Sequence, residues 1–418
     1  MISTPEQFIH DVCYSNTLSE AVQKFNLYKP VLENYHFVIS VPFGNIPRNA
    51  RKKYFSNTAK IKTPFLSDQL IFIDRSSAFE MQLCDRATLH VDYSISLDNN
   101  AVSYLWSYIN SGRIGAVDLV EVLEFISRDD VFVDPIPFFI ENAPRLLDLS
   151  NSTQIFNRVK GYEILRNLDP ILLKKGIIRT TLTEDEIIAK AHSLISDFYI
   201  RLTKDDTLEA IAFRRDFKLC QLLKMVSIQF SMPNKTLGDK LSSFSEFCDN
   251  EMATFDWRSI AIAKEYFSKG QNFSFFGKVQ KGRKGLFEAL NGMAWDMWHV
   301  MQLEESITLK PEEKADYFVP ALLTFDQGLS DMMDLHPLKA IAFSKDDKRP
   351  IPFYAKNPLE ILSDDEKIQT SFHQKYYSLN ARMRREKKRE SLRDNFGQLK
   401  ASILEEVERL SGVNNTTL

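Results

Sequence analysis

The chain has 418 residues, of which 44% are hydrophobic and 26% are charged, as in an ordinary soluble globular protein. This composition excludes wholesale disorder, a collagen-like repeat and a polytopic membrane protein, and at about 150 residues per domain the length predicts two or three packed bodies. The net charge is −3, so any affinity for nucleic acid has to come from local clusters of basic residues.

Glycine is scarce, with 14 copies, or about 3% of the chain against a usual 7%. A chain with so little glycine has few places where backbone can close around a phosphate, so phosphate chemistry is expected to depend on side chains. The four cysteines lie far apart without a CxxC pair, which predicts free thiols in a reducing compartment. No signal-peptide pattern and no apolar run of about 18 residues is present, so we expect a cytoplasmic protein without a membrane contact.

The N-terminal region, residues 1–88, is predicted to be α+β. Apolar residues recur at helical spacing from residue 1 to about 30, with Ser3 or Thr4 available as a helix cap. Short β-like runs then follow at 35–43, 70–74 and 79–83. The stretch between the first two runs is basic and carries Arg48, Arg51, Lys52, Lys53, Lys60 and Lys62.

The next segment, 89–148, begins with the clearest strand of the chain. Apolar residues alternate from Leu89 to Leu97, and the strand stops abruptly at Asp98-Asn99-Asn100, after which a helical pattern opens. Residues 149–285 are almost all helical and carry mixed charge without a fixed repeat, which predicts a helical insertion and disfavours a solenoid. A further helix is predicted at 286–305.

A second apolar strand, 317–325, also ends on an acid, Asp326. In an α/β sheet, ligands bind outside the carboxyl ends of the strands, so Asp98 and Asp326 are expected to project into one crevice. A third acid, Asp296, lies on a helix among tryptophan, methionine and alanine side chains, where an unpaired charge would be costly. Carboxylates that converge repel one another unless cations neutralise them, and hard oxygen ligands suit Mg²⁺ or Mn²⁺.

The motifs that carry these acids resemble the acidic motifs of the PIN-domain nucleases. The resemblance is to a large bacterial variant of that family that contains a helical insertion. The matching stretches are Leu97-Asp98-Asn-Asn-Ala-Val-Ser-Tyr-Leu105, the helix around Asp296, and Leu323-Thr324-Phe-Asp326-Gln-Gly-Leu329. Together they cover residues 98–145 and 286–340, roughly a quarter of the chain.

The resemblance implies a metal-dependent endoribonuclease that holds Mg²⁺ or Mn²⁺ through Asp98, Asp296 and Asp326, with Glu141 as the best local match to a fourth ligand. It implies that Thr324 orients the ligands or the scissile phosphate, with Asn100 and His299 as further positioning residues. Large proteins of this type are often toxins or phage-defence effectors, and the resemblance extends that role to this chain.

Each of these residues also has a simpler interpretation. Asp98 follows a strand and precedes a helix, which is the position of a helix N-cap, and Asp326 before Gly328 fits a side-chain-stabilised turn. His299 lies one turn from Asp296 and could pair with it, contact a phosphate, or be a satisfied core residue. The alternatives to Glu141 are Glu121, Glu124 and Glu163, and Asp92 replaces Asp98 if the strand register is different.

Basic residues gather at two places that could follow a phosphate backbone. Residues 277–284 resemble a P-loop, but Arg283 stands where that motif needs lysine and no Ser or Thr follows, which favours a solvated turn. Residues 382–393 carry seven basic and two acidic residues. The candidate nucleic-acid contacts are Lys281, Arg283, Lys284, Arg382, Arg384, Arg385, Lys387, Lys388 and Arg389.

Downstream of this basic run, an apolar stripe from Leu392 to Leu410 repeats at spacings of three and four residues. Such a stripe needs a packing partner. The chain's own core is the favoured one, and a second copy of the chain or another protein is the alternative.

The sequence thus predicts an α/β fold with a PIN-like parallel-sheet core in two halves, 89–148 and 286–362. The helical insertion 149–285 separates the halves, and a basic amphipathic helix, 363–418, ends the chain. RNA is the expected substrate, and the same acids could also hydrolyse DNA. The alternative from another class is a non-catalytic regulatory or assembly subunit that binds a partner protein or nucleic acid through its C-terminal helix.

Overall fold

The computed structural model describes residues 5–46, 54–84, 86–146, 149–173, 175, 177–309, 314–347 and 349–414. The chain divides into two compact units. The first unit contains both sheets and comprises Met1–Ile211, His299–Asp326 and Pro337–Phe353. The second is built of helices and comprises Ala212–Trp298, Gln327–His336 and Tyr354–Leu418.

The first sheet lies under the N-terminal helices, which are α1 (Pro5–Cys13), α2 (Leu18–Leu27) and α3 (Lys29–Leu32). The helix predicted up to about residue 30 is therefore broken into three, and its proposed caps Ser3 and Thr4 lie outside the described residues. The sheet has the order β3-β1-β7-β8, with β1 antiparallel to both neighbours. Its strands are β1 (Tyr35–Asn45), β3 (Leu70–Ile73), β7 (Leu338–Ser344) and β8 (Ile351–Tyr354).

The predicted strand at 79–83 is wrong, because these residues belong to helix α4 (Arg75–Cys84). The carboxylate of Asp74 accepts a hydrogen bond from the backbone N–H of Ser77 at 2.8 Å, which satisfies a free donor at the start of the helix. Phe79 and Leu83 are 54% and 67% exposed, so the apolar residues that suggested a strand do not enter a core.

The second sheet contains the strands predicted at 89–97 and 317–325. Its order is β2-β6-β4-β5, in which β4 is parallel to both β6 and β5, and β2 is antiparallel to β6. The prediction of an α/β chain with parallel strands is confirmed. The strands are β2 (Lys60–Lys62), β4 (Val91–Leu97), β5 (Val133–Asp134) and β6 (Tyr317–Thr324).

Helices that follow β4 and β5 pack on one face of this second sheet. Leu97, Leu323 and Ile61 lie in the same core cluster as side chains from these helices, such as Leu105 and Phe139. The helices are α5 (Asn99–Ser111), α6 (Leu119–Ile126), α7 (Ile136–Leu146), α8 (Leu149–Arg166), α9 (Pro170–Leu173) and α10 (Glu184–Leu202).

A buried hydrogen bond joins the two sheets of the first unit. The Tyr317 hydroxyl of β6 donates to Asp74, at the end of β3, over 3.0 Å, and the His36 ring of β1 meets the Tyr317 ring edge-on at 5.5 Å. Burial, followed by the charge of Asp74, raises the pKa of Tyr317, so the hydroxyl keeps its proton for this bond.

The predicted insertion 149–285 is divided between the units, because the first unit continues to Ile211 and the second begins at Ala212, within the helix that follows α10. The helices from residue 207 onward are α11 (Thr207–Ser231), α12 (Leu237–Asn250), α13 (Trp257–Lys269), α14 (Leu286–Ser306), α15 (Gln327–Met333), α16 (Pro358–Leu362), α17 (Glu366–Tyr377) and α18 (Leu379–Ser411). No helix among the described residues is long and apolar enough to cross a membrane.

The apolar stripe of α18 packs within its own unit. Phe396 contacts the rings of Phe213 and Phe217 on α11, with centroid distances of 4.8 and 6.2 Å. Beside this contact, Lys400 pairs with Asp216 at 2.7 Å. The favoured prediction for the stripe, packing against the chain's own core, is therefore confirmed.

Replacing Thr183 by alanine is expected to lower the free energy of unfolding by about 1 kcal/mol. Thr183 and Glu186 form a reciprocal capping box at the start of α10, in which each side chain accepts a hydrogen bond from the backbone N–H of the other. Urea denaturation followed by circular dichroism measures the change. Ser196→Ala, at an exposed position within α10, is the control and should change stability by less than about 0.5 kcal/mol. Equal losses in both variants would contradict the capping role.

Candidate active site

Asp98 lies at the carboxyl end of β4 and caps α5. Its Oδ1 accepts a hydrogen bond from the backbone N–H of Ala101 at 2.6 Å, and the residue is 5% exposed. The N-cap interpretation of Asp98 is therefore confirmed. Capping a helix does not require the capping side chain to be buried.

Thr324, the last residue of β6, lies beside Asp98 because β4 and β6 run parallel with Leu97 opposite Leu323. The Thr324 side chain lies close enough to the Asp98 carboxylate to help lower its pKa, and the Thr324 hydroxyl oxygen accepts a hydrogen bond from the backbone N–H of Asp326 at 3.0 Å. The threonine therefore lies next to both acids that follow these strands, Asp98 and Asp326.

Glu141 and His299 join this group from two helices. Glu141 lies on α7, His299 lies on α14, and His299 Nε2 is 2.8 Å from Glu141 Oε1. The His299 side chain is 1% exposed and that of Glu141 is 16% exposed. The charge of Glu141 acts to raise the pKa of Asp98 and that of His299 acts to lower it, so both lie within electrostatic reach of the Asp98 carboxylate.

The pKa of Asp98 is raised to about 6, chiefly because the carboxylate is removed from water. The hydrogen bonds from Ala101 and Thr324 oppose this shift, and the nearby charge of Glu141 adds to it. A carboxyl group that exchanges its proton close to neutral pH is suited to acid–base work, and such groups concentrate at functional sites.

A second aspartate, the half-buried Asp134, supports the same region. At the end of β5 its Oδ1 accepts a hydrogen bond from Ile136 N at 3.1 Å, which caps α7, the helix that carries Glu141. Its Oδ2 accepts hydrogen bonds from the hydroxyls of Ser94 and Ser96 on β4. Sequence reasoning missed this residue, although the same signal, an acid between a strand and a helix, pointed to Asp98.

The remaining predicted site residues are placed as follows. Asp326 is half-buried directly after β6, and Asn100 is exposed in the first turn of α5. Asp296 is half-buried on the part of α14 that belongs to the second unit, three residues before His299, so the two side chains lie on the same face of that helix. Among the described residues, no group of three or more His, Cys, Asp or Glu side chains is arranged to hold a metal ion.

Several of the predicted nucleic-acid contacts are engaged inside the second unit. Arg385 is 6% exposed and pairs with Asp249 at 2.6 Å, and Arg384 pairs with the same carboxylate. Arg389 donates to the carbonyl of Ala253 at 3.0 Å, and Lys281 donates to that of Phe230 at 3.1 Å. These contacts assign Arg385 a structural role. Side chains of the other predicted basic residues are exposed: Arg283, Lys284, Arg382, Lys387 and Lys388.

Comparison of the chain with protein-family models, with curated proteins and with solved structures finds no match.

Proposed function

We propose that this protein is a divalent-metal-dependent phosphodiester hydrolase, with its active site at Asp98, Glu141, His299 and Thr324. The observation that carries the proposal is the convergence of these four side chains, which come from two strand ends and two helices. The cluster combines hard oxygen ligands, an imidazole and a carboxyl group whose pKa lies near 6. We name it the β4–β6 acid cluster.

The two carboxylates of the β4–β6 acid cluster are ligands of the type that Mg²⁺ and Mn²⁺ prefer. Mg²⁺ is commonly bound by one or two protein carboxylates, while water and substrate phosphates complete its shell. Asp98 and Glu141 are the two carboxylates of the cluster, and the charge of a bound cation would favour the ionised form of Asp98, which burial and then the charge of Glu141 disfavour. When bound, the metal supplies Lewis-acid stabilisation of phosphoryl oxygens. Asp296 and Asp326 remain proposed as further ligands on the basis of the PIN-like resemblance.

The chain's own groups have separate roles in this proposal. Glu141 fixes the orientation of the His299 ring, and the ring is proposed to position a phosphate oxygen of the substrate. Thr324 places its hydroxyl beside the Asp98 carboxylate and so favours the ionised form of that group. Asp98 takes up a proton near pH 6 in the metal-free chain, so this proton competes with a cation for the carboxylate, and metal binding should weaken below neutral pH.

RNA is the proposed substrate, and the role as a toxin or phage-defence effector is proposed with it, both on the PIN-like resemblance. DNA remains the alternative substrate, since the same acids act on either backbone. The regulatory-subunit alternative is less favoured, because the apolar stripe of α18 that would have bound a partner packs against α11.

The test is hydrolysis of end-labelled single-stranded RNA and DNA by the purified full-length chain. We expect cleavage of RNA with Mg²⁺ or Mn²⁺, and no cleavage when EDTA is in excess. Cleavage of DNA but not of RNA would overturn RNA as the substrate, and the assignment as a phosphodiester hydrolase would stand. Cleavage that persists in EDTA would overturn the metal requirement, and intact RNA and DNA at all metal concentrations would overturn the proposed function.

A further inference from the structure

A short hairpin formed by residues 54–60 lies beside the β4–β6 acid cluster. Lys60 begins β2, and its ladder partner on β6 is Thr324. On the other side, Tyr54 forms an antiparallel bridge with Lys60. Tyr54, Lys60 and Thr324 therefore form one row across the carboxyl end of β6, and this row ends at Asp98.

The three side chains of this row share one face of the sheet. Ile61 and Leu323 are ladder partners, and both belong to the core cluster on the opposite face. Because successive residues of a strand point to opposite faces, Lys60 and Thr324 point away from that core together. Residues directly opposite in an antiparallel pair have Cβ atoms about 5 Å apart, so Lys60 starts next to the threonine that binds Asp98.

The hairpin is anchored by hydrogen bonds to the start of α6. Its backbone N–H groups donate to two carboxylates of that region: Ala59 to Asp118 at 2.7 Å, and Ser56 to Glu121 at 2.8 Å. Phe55 is 8% exposed and packs against Phe125 in the core cluster. A segment anchored in this way presents its outer side chains with little ordering left to occur on binding.

Tyr54 is the aromatic residue on the outer side of the hairpin. It is 62% exposed, whereas its neighbour Phe55 is buried. An exposed aromatic ring on a rigid hairpin is a surface on which an unpaired base can stack, and a nearby ammonium group can pair with the phosphate of that nucleotide. Bases inside a duplex are stacked on their neighbours and cannot stack on a protein side chain. The arrangement therefore selects single-stranded nucleic acid.

We propose that the hairpin 54–60 is the binding subsite for a nucleotide of single-stranded RNA next to the scissile phosphate, with Tyr54 stacking on the base and Lys60 pairing with the backbone phosphate. This inference rests on the proposed function and specifies its substrate as unpaired RNA.

The test is binding, measured apart from hydrolysis. Fluorescence anisotropy of a labelled single-stranded RNA oligonucleotide is recorded in EDTA with the Asp98→Asn chain, and the same strand in a duplex is the comparison. We expect Tyr54→Ala to weaken binding about tenfold and Tyr54→Phe to retain it, because the ring provides the stacking surface. Lys60→Gln should weaken binding and lower the slope of log K against log salt by about one, and Lys60→Arg should retain both.

Lys204→Ala is the matched control, since it removes the same charge from an exposed loop of the first unit. It should leave the affinity within about twofold, and the thermal unfolding midpoint of each variant shows whether the fold is kept. Wild-type affinity in both Tyr54→Ala and Lys60→Gln, or equal binding of duplex and single strand, would overturn the subsite. RNA that is bound through the hairpin but never cleaved by the wild-type chain would overturn only the proposed function.

Discussion

Replacing Asp98 by asparagine is expected to reduce hydrolysis by a factor on the order of 10²–10⁴ and, at pH 7, to make the protein more stable. The loss of activity follows because asparagine lacks the negative charge with which Asp98 would hold a cation. The gain in stability follows because the ionised Asp98 carboxylate is buried beside Glu141. Asparagine keeps the helix cap, since its side-chain oxygen accepts the same hydrogen bond from Ala101.

The pH dependence of this gain has a definite sign. The pKa of Asp98 is about 6 in the folded chain and 3.8 ordinarily, so between these values the folded chain keeps a proton that the unfolded chain has released. The stability that Asp98 contributes is fully present below pH 3.8 and is lost as the pH rises through 6. By pH 7 the loss is about 3 kcal/mol, at 1.36 kcal/mol for each pH unit between the two pKa values.

Urea denaturation of the wild type and of Asp98→Asn between pH 4 and 8 measures this difference. The two free energies of unfolding should approach each other near pH 4, diverge between pH 4 and about 6, and differ by a constant amount at pH 7 and above, with the variant more stable. Asp364→Asn, at an exposed loop position, is the matched control and should keep both the activity and the wild-type pH profile. A variant that is less stable than the wild type at pH 7 would contradict the buried, ionised carboxylate, and one that cleaves at the wild-type rate would contradict the active site.

Replacing Asp249 by alanine is expected to lower the free energy of unfolding by about 3–5 kcal/mol, because it leaves the buried Arg385 without its counter-ion. Asp249 is 3% exposed, and its Oδ1 accepts from Arg385 Nη1 at 2.6 Å. The same nitrogen donates to the carbonyl of Tyr376 at 2.7 Å, and the guanidinium lies over the ring of Phe255. The ion pair therefore joins α12, α17 and α18.

Two further variants separate the loss of charge pairing from a general disruption of the second unit. Arg384 pairs with the same carboxylate but its side chain is 53% exposed, so Arg384→Ala should cost about 0–1 kcal/mol. The double variant Asp249→Leu with Arg385→Met should recover much of the lost stability, because two apolar side chains need no pairing. Urea denaturation followed by circular dichroism measures all three. A loss below about 1 kcal/mol for Asp249→Ala would show that Arg385 finds another partner or reaches water.

Strand ends and caps could be predicted from the sequence because they depend on neighbouring residues. The alternation up to Leu97 and the apolar run before Asp326 identified β4 and β6, and the acid after β4 identified the cap at Asp98. The strand predicted at 79–83 was wrong because a local signal was overlooked. Asp74 caps the start of a helix, and residues 79–83 belong to that helix. Local chemistry therefore gave the element boundaries that lead to the candidate site.

Partners across long distances in the chain could not be predicted in this way. For His299 the sequence left open a pairing with Asp296, a phosphate contact or a satisfied core position, and it did not indicate the hydrogen bond to Glu141, 158 residues away. Lys60 was one of several lysines in a basic stretch, and only the ladder between β2 and β6 places it opposite Thr324. Arg385 was grouped with solvent-facing charges, because its sequence neighbours are charged and its buried counter-ion lies on another helix.

The sequence by itself determined that this is an α/β chain with acids at the ends of two apolar strands, because side-chain alternation and helix capping act over a few residues. Only the tertiary structure decided which groups meet those acids. Sheet order and helix packing bring Glu141, His299 and Lys60 to the same end of the second sheet, and burial in that packing raises the pKa of Asp98. Both effects depend on contacts between distant segments, and no pattern within a single segment specifies such contacts.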